Sequence, residues 1–306
     1  MSRKIEDNLF KWLTTLLALA IVLLSTGILL MLTHSSGLSF KEFGLGFLGS
    51  SEWDPVRKVF GALPFVWGTF VSATLALLIA LPISIGIAVF LSELSPLWVR
   101  KPVSLAIELL SAIPSVIYGL WGLFVLAPIM QLHIEPFLGR HLGFLPFFKG
   151  YPLGVGMLTG SVIISIMIIP TISSISREVL SSVPGHQKEA GMALGMTRWE
   201  VIWKVMLPYG RVGIVGATLL GYGRALGETM AIAMVIGNTP KLSVSLFDPA
   251  YTISSVIANE FVEAVEPLHI SSLVELGLIL FFITFLLNAI ARFLLTRMKR
   301  FEGVRI

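Results

Sequence analysis

Six separate stretches of the chain, about 13–33, 63–91, 103–130, 152–176, 210–236 and 273–296, are apolar and long enough to cross a lipid bilayer. A spanning helix needs about 20 mostly apolar residues to traverse a hydrocarbon layer of about 30 Å. Only 13% of the 306 residues are charged, against roughly 25% in an average soluble domain. A water-facing surface of this size cannot be dressed with so few charges. The expected fold is all-α and polytopic, with six transmembrane helices solvated by lipid. Residues 131–151 mix Phe137, Leu142, Phe144, Phe147 and Phe148 with Arg140, His141 and Lys149. Their apolar runs are too short to span, so the segment reads as an interfacial or re-entrant loop.

The net charge of +4 is a topology signal rather than a mark of nucleic-acid binding. With the amino terminus inside, the inner segments hold Arg3, Lys4, Lys11, Arg100, Lys101, Arg177, Lys188, Arg198, Lys204 and Arg211, and the tail adds Arg292, Arg297, Lys299, Arg300 and Arg305. Only Lys41, Arg57, Lys58, Arg140, Lys149 and Lys241 fall outside, which is the positive-inside bias. An even number of spans puts both termini in the cytoplasm. The first apolar run is followed by Leu32-Thr33-His34, which offers no small-x-small cleavage site, so it reads as an uncleaved anchor. There is no cysteine, which rules out thiol-based disulfide, zinc and redox chemistry.

The chain divides into an anchor helix with its outer loop (1–62), a core of five spans (63–296) and a short cytoplasmic tail (297–306). Pro82, Gly86, Pro114, Gly119, Gly122, Pro128 and Pro170 punctuate the spans, as suits a bent, closely packed bundle. The inner loop 181–208 is the most informative segment. Ser181 or Ser182 can cap a short helix carrying Pro184 in its first turn, and Gly195 suits a left-handed closing position. Thr197, with Glu200 three residues on, forms a capping box for a second helix. That helix puts Trp199, Ile202, Trp203 and Met206 on one broad apolar face before Pro208 leads into the fifth span.

Glu189-Ala190-Gly191, Gly195, Val205, Leu207 and Pro208 resemble the EAA loop of ABC-importer permeases. The family pattern is Glu-Ala-Ala, three residues, Gly, nine residues, Ile, one residue, Leu-Pro. The spacing is met throughout, with Gly191 in place of the second Ala and Val205 in place of Ile. The resemblance implies a type I importer permease of MetI-like architecture whose coupling helix docks on a separate ATPase, with Glu189 as the acidic docking contact. The chain has no Gly-x-x-x-x-Gly-Lys-Ser/Thr phosphate cradle of its own.

Ionisable groups inside spans are costly and are functional candidates by default. Glu275 sits near the outer end of the last span and reads as structural. Glu108, inside the third span, can pair with Arg100 or Arg211 and also reads as structural. Arg224 and Glu228 lie mid-span in Gly221-Tyr222-Gly223-Arg224-Ala225-Leu226-Gly227-Glu228-Thr229, four residues apart and so on one face of a continuous helix. An arginine holds a tetrahedral oxyanion through paired hydrogen bonds. A neighbouring carboxylate accepts a hydrogen bond from protonated phosphate and repels sulfate, which has no proton to give. Arg224, Glu228 and the adjoining Thr229 are therefore the expected substrate path, with phosphate as the expected cargo.

Glu108-Leu109-Leu110-Ser111-Ala112-Ile113-Pro114-Ser115-Val116-Ile117-Tyr118-Gly119, the segment from Gly223 to Ala231, and Phe43 to Leu48 with Ser51-Glu52-Trp53 further resemble PstC-type permeases of the phosphate-specific transporter. That resemblance implies a PstA-type sister permease, two PstB-type ATPase subunits, a periplasmic PstS-type phosphate-binding protein, an inner-membrane location and no cofactor. Rival readings are a permease for sulfate or molybdate, an ion-coupled carrier independent of any ATPase, and an intramembrane enzyme. The last lacks a His-Glu-x-x-His or Gly-x-Ser-x-Gly signature, and His34, His133, His141, His186 and His269 read as loop residues.

Overall fold

The computed structural model describes residues 2–301, with side chains from Asp7 to Met298. Arg305, the side chains of Arg3, Lys4, Lys299 and Arg300, and much of the 297–306 tail lie outside the described residues. Among these residues the regular elements are helices: α1 (Ser2–Ser35), α2 (Leu63–Leu94), α3 (Leu97–Ala112), α4 (Ser115–Leu142), α5 (Met157–Ser181), α6 (Gly185–Ala193), α7 (Leu207–Leu226), α8 (Met230–Val235), α9 (Ile253–Glu260) and α10 (Pro267–Phe301). Five are long and apolar enough to cross a membrane: Asp7–Ser35 within α1, then α2, α4, α5, and Pro267–Met298 within α10.

The fifth expected span, read as one helix over 210–236, is instead two helices, α7 and α8, with a break at 227–229. Glycines and two arginines dilute its apolar character, which is why α7 alone falls short as a span. Packing fixes both ends of the pair. Gly210 sits against Val179 and Leu180 in the last turn of α5, and the Gly156 amide just before α5 donates to the Val235 carbonyl at 3.0 Å. The pair therefore runs the full length of α5 in the opposite direction. Helix α10 is antiparallel to α7, with Leu295 beside Gly216, and the Ser271 hydroxyl at its start donates to the Ser35 carbonyl at the end of α1. The start of α1 and the end of α10 thus fall at the end of the bundle that holds the α5–α7 connection.

The third crossing departs from expectation at both ends. The apolar run 103–130 is not one helix, because Ile113 is extended (φ −68°, ψ 129°) ahead of Pro114, the conformation a following proline imposes. Glu108 consequently sits on α3, outside the main span, and Arg100 bonds the Ser92 and Ser95 carbonyls instead of pairing with it. Downstream, the expected loop begins as helix: α4 continues through Leu142 before the chain turns. It passes Pro128 and Pro136 by a shared device. The residue before each proline donates five residues back: Ala127 to Gly122 and Glu135 to Met130. Ser95 to Phe90 before Pro96, and Leu207 to Ile202 before Pro208, do the same. A proline ring crowds the carbonyl four residues earlier, and widening the turn clears it. The five histidines also lie on helices rather than in loops.

Helix α5 is the centre of the bundle; 67% of its apolar window is buried, against none for α1. Ala73, Ala76 and Ala80 of α2 are buried in the same core, and Gly213 and Gly221 of α7 lie where a Cβ would come within 2.5 and 2.6 Å of Val179 and Ile172. Lipid tails are as apolar as leucine, so such close approach is what holds helices together in a bilayer. At the end of the bundle away from the α5–α7 connection a second cluster gathers Phe47, Trp53, Phe60, Phe65 and Tyr251, and the Trp53 indole donates to Glu260 at 2.9 Å. Glu275 is buried beside Ser39, a little over two turns into α10.

Gly68 of α2 provides a test of this packing. A Cβ there would stand 2.2 Å from the Tyr251 carbonyl oxygen, so Gly68→Ala should cost about 1–3 kcal/mol and lower the unfolding temperature in detergent. Gly86→Ala on the same helix meets nothing within 4 Å and should be neutral or stabilising by up to about 1 kcal/mol.

Candidate functional site

Two sites emerge, one at the α5–α7 connection and one at the break after α7. The connection is a helix–turn–helix. Helix α6 starts after Pro184, which occupies the cap position, while Ser181 and Ser182 belong to the end of α5; the expected serine cap is therefore not formed. The turn matches expectation. Gly195 is left-handed at φ +85°, its amide donates to the Met192 carbonyl at 2.9 Å, and the Met196 amide donates to Gly191 at 3.2 Å, the paired bonds of a Schellman ending. Gly191 is buried, and an added Cβ would meet Val201 at 3.2 Å. A tight turn thus holds glycine where the resemblance led one to expect alanine.

The capping box is present. Glu200 N–H donates to Thr197 Oγ1 at 3.3 Å, and Thr197 N–H donates to Glu200 Oε2 at 3.0 Å. The backbone bond from Thr197, with help from Lys204, lowers the Glu200 carboxyl to about 2. The apolar face behind it divides. Ile202 and Met206 are buried with Val201 against Ala88, Val89, Leu180 and Val183, whereas Trp199 and Trp203 are exposed and meet edge to face at 5.9 Å. Glu189 and Ala190 are exposed on α6, and Leu207 and Pro208 begin α7. An ion pair between Lys188 of α6 and Glu93 at the end of α2, not foreseen from sequence, ties the connection to a second helix.

At the break, Gly227 ends α7 (φ −92°, ψ 0°), so Arg224 and Glu228 do not share a helix face. Among the described residues no ion pair joins them. Arg224 Nη1 donates to Thr171 Oγ1 of α5 at 3.1 Å. The Glu228 carboxylate instead accepts the Ala231 amide at 3.3 Å, and its backbone carbonyl accepts the Ser254 hydroxyl at 2.6 Å. Thr229 turns its hydroxyl to the Gly227 carbonyl at 3.1 Å. The reason is local: a spacing of four pairs side chains only while the helix continues. Arg224 lines a cleft of about 460 Å³ with Thr171, Tyr222, Thr284 and Asn288. Gly223 leaves open space there, while Gly221 is filled by Ile172. Thr171 was invisible to sequence reading, since only the tertiary fold brings α5 to this point, and so was the bond of Tyr222 to Thr74 of α2. No group of three or more metal-ligating side chains occurs among the described residues.

A family model described as "Binding-protein-dependent transport system inner membrane component" matches residues 80–300, which include both sites. Among curated relatives, the phosphate transport system permease protein PstC of Haemophilus influenzae is 50% identical over 301 residues, covering 97% of this chain and 95% of that one. The protein of the same name from Mesorhizobium japonicum is 48% identical over 303 residues, covering 98% and 93%. Among solved structures, a bacterial ABC transporter involved in the import of the acidic polysaccharide alginate aligns over 96% of this chain and 99% of that one, at 17% identity and a TM-score of 0.62. The inward-facing MetNI methionine ABC transporter aligns over 81% and 99%, at 17% identity and 0.54. At that identity these structures speak for the fold alone.

The capping box makes two predictions for amide exchange in the full chain. Glu200 has a depressed folded value, so any stability it lends is present above its ordinary 4.5 and is lost only as pH falls toward about 2. Protection of residues 199–203, corrected for intrinsic rate, should therefore be flat between about pH 8 and pH 5. Thr197→Ala should raise exchange there about fivefold, as loss of a cap worth about 1 kcal/mol requires.

Proposed function

Because the chain belongs to the binding-protein-dependent transport system inner membrane component family, we propose that it is the permease subunit that passes inorganic phosphate through the inner membrane in an ATP-driven importer. One observation carries the choice of cargo. The Arg224 guanidinium stands in a cleft between spanning helices with a single neutral hydroxyl as partner and no carboxylate in ion-pair range among the described residues. A cation among apolar helices is expensive unless it is paired, and a transient oxyanion supplies the missing charge through paired, charge-assisted hydrogen bonds. Relatives across nearly the full length bear the name of phosphate permeases, which supports the same cargo.

Glu228 is the filter in this proposal. One of its oxygens accepts the amide of Ala231, the second residue of α8, and the other accepts the proton of a phosphate P–OH, which sulfate lacks. Glu189 and Ala190 form the docking face for an ATPase of PstB type, Gly191 and Gly195 set its angle, and Leu207 and Pro208 pass its movement into α7. A PstA-type sister permease completes the path, and a PstS-type binding protein delivers phosphate at the opposite end. The positive-inside distribution assigns the α5–α7 connection and both termini to the cytoplasm. This chain makes and breaks no covalent bond; it alternates between states that bind phosphate differently, without which no ligand is moved.

The test is ATP-dependent uptake of radiolabelled phosphate into proteoliposomes holding this chain and its partner subunits. Arg224→Gln should cut uptake about thirtyfold or more, as loss of a charge contact worth about 2 kcal/mol or more implies, with assembly intact. Glu228→Gln should let sulfate compete about tenfold better, the worth of one hydrogen bond to a charged group. Normal uptake by Arg224→Gln would reduce the arginine to a structural role, and no uptake by the unaltered complex would remove phosphate as cargo.

A further inference from the structure

Most threonines inside these helices follow one habit; Thr74 and Thr171 depart from it, as does Thr159 near the start of α5, which donates five residues back to Gly154. Thr69, Thr218 and Thr284, among others, donate their hydroxyl proton to the carbonyl four residues back in the same helix, the usual sink for a threonine buried in lipid. Thr74 of α2 and Thr171 of α5 do not. Thr74 Oγ1 bonds the Tyr222 hydroxyl at 3.1 Å, and Thr171 Oγ1 accepts from Arg224 Nη1 at 3.1 Å. Thr74 and Thr171 both reach the three-residue stretch Tyr222 to Arg224 of α7, just ahead of the break at 227–229.

We propose that Thr171 is a substrate-contacting residue of the anion path, which orients the Arg224 guanidinium and donates its own hydroxyl proton to the same oxyanion. This rests on the reading of Arg224 as the anion-binding cation. A hydroxyl offers one proton and two lone pairs. In Thr171 a lone pair is engaged by Arg224, while the proton has no acceptor among the described residues. Thr171 lines the same 460 Å³ cleft as the guanidinium, so an oxygen bound by Arg224 lies within reach of that proton. Four guanidinium N–H groups remain for the anion, and contact with a fixed hydroxyl on α5 restricts which of them face it. Thr171 follows Pro170, a buried residue of the α5 core, so its backbone is set by packing rather than by the cleft. The Thr74–Tyr222 bond steadies α7 from the other side and leaves Tyr222 lining the cleft.

The experiment measures phosphate imported per ATP hydrolysed in the reconstituted complex, for Thr171→Val, Thr171→Ser and Arg224→Gln. Thr171→Val keeps the shape and removes both the acceptor and the proton; the ratio should fall about tenfold, the worth of one hydrogen bond to a charged group. Thr171→Ser restores the hydroxyl and should recover the ratio to within about threefold. An unchanged ratio in Thr171→Val alongside a collapsed ratio in Arg224→Gln would overturn the role of Thr171 and leave the arginine standing. Equal losses in Val and Ser, with transport and hydrolysis falling together, would also overturn it by showing a packing role. A normal ratio in Arg224→Gln would instead overturn the underlying reading.

Discussion

Close backbone approach on either side of α5 is the contact on which everything else rests. Gly213 and Gly221 of α7 press against Val179 and Ile172, and Ala73, Ala76 and Ala80 of α2 complete the same core. In a bilayer there is no expulsion of water to drive helices together, so dispersion contacts at short range must do it. Small residues at these positions therefore settle which helices are neighbours. Once α2 and α7 are seated on α5, the polar side chains of the cleft, Thr171 and Arg224, are brought within bonding distance.

The bends have a separate logic. Within lipid every backbone amide needs a partner inside the protein, and each proline removes one. Four of the prolines are accommodated by a wide turn that ends on the residue before the ring. At Pro114 the chain separates instead, and α3 becomes an independent helix. The break after α7 has no proline; Gly227 ends the helix, and the Glu228 carboxylate and Ser254 hydroxyl take up polar groups left behind. An irregular backbone at this depth is tolerated only where protein or a cavity surrounds it, and here both do.

What could be read from the sequence was what depends on neighbours in the chain. The capping box of Thr197 and Glu200 and the left-handed Gly195 are local devices, and they appear as expected. That the chain holds several long apolar spans was legible from hydropathy, but their boundaries were not, because hydropathy runs smoothly across Ile113–Pro114 while the backbone does not. The four-residue spacing of Arg224 and Glu228 misled for the same reason: it presumes a helix that Gly227 interrupts. Thr171, the Thr74–Tyr222 bond and the Lys188–Glu93 pair leave no trace in the sequence, since each depends on residues tens of positions apart meeting in space.

The Lys188–Glu93 pair makes the connecting helix a lever with two attachments. Through the Gly195 turn and the helix that starts at Arg198 it leads into α7, and through Glu93 it is pinned to the end of α2. Those two helices meet again farther up, where Thr74 bonds Tyr222. The loop, α2 and α7 thus close a mechanical frame around one side of the cleft. A torque applied to α6 is shared between two struts, and the cleft is deformed by their relative slip rather than by the swing of a single arm.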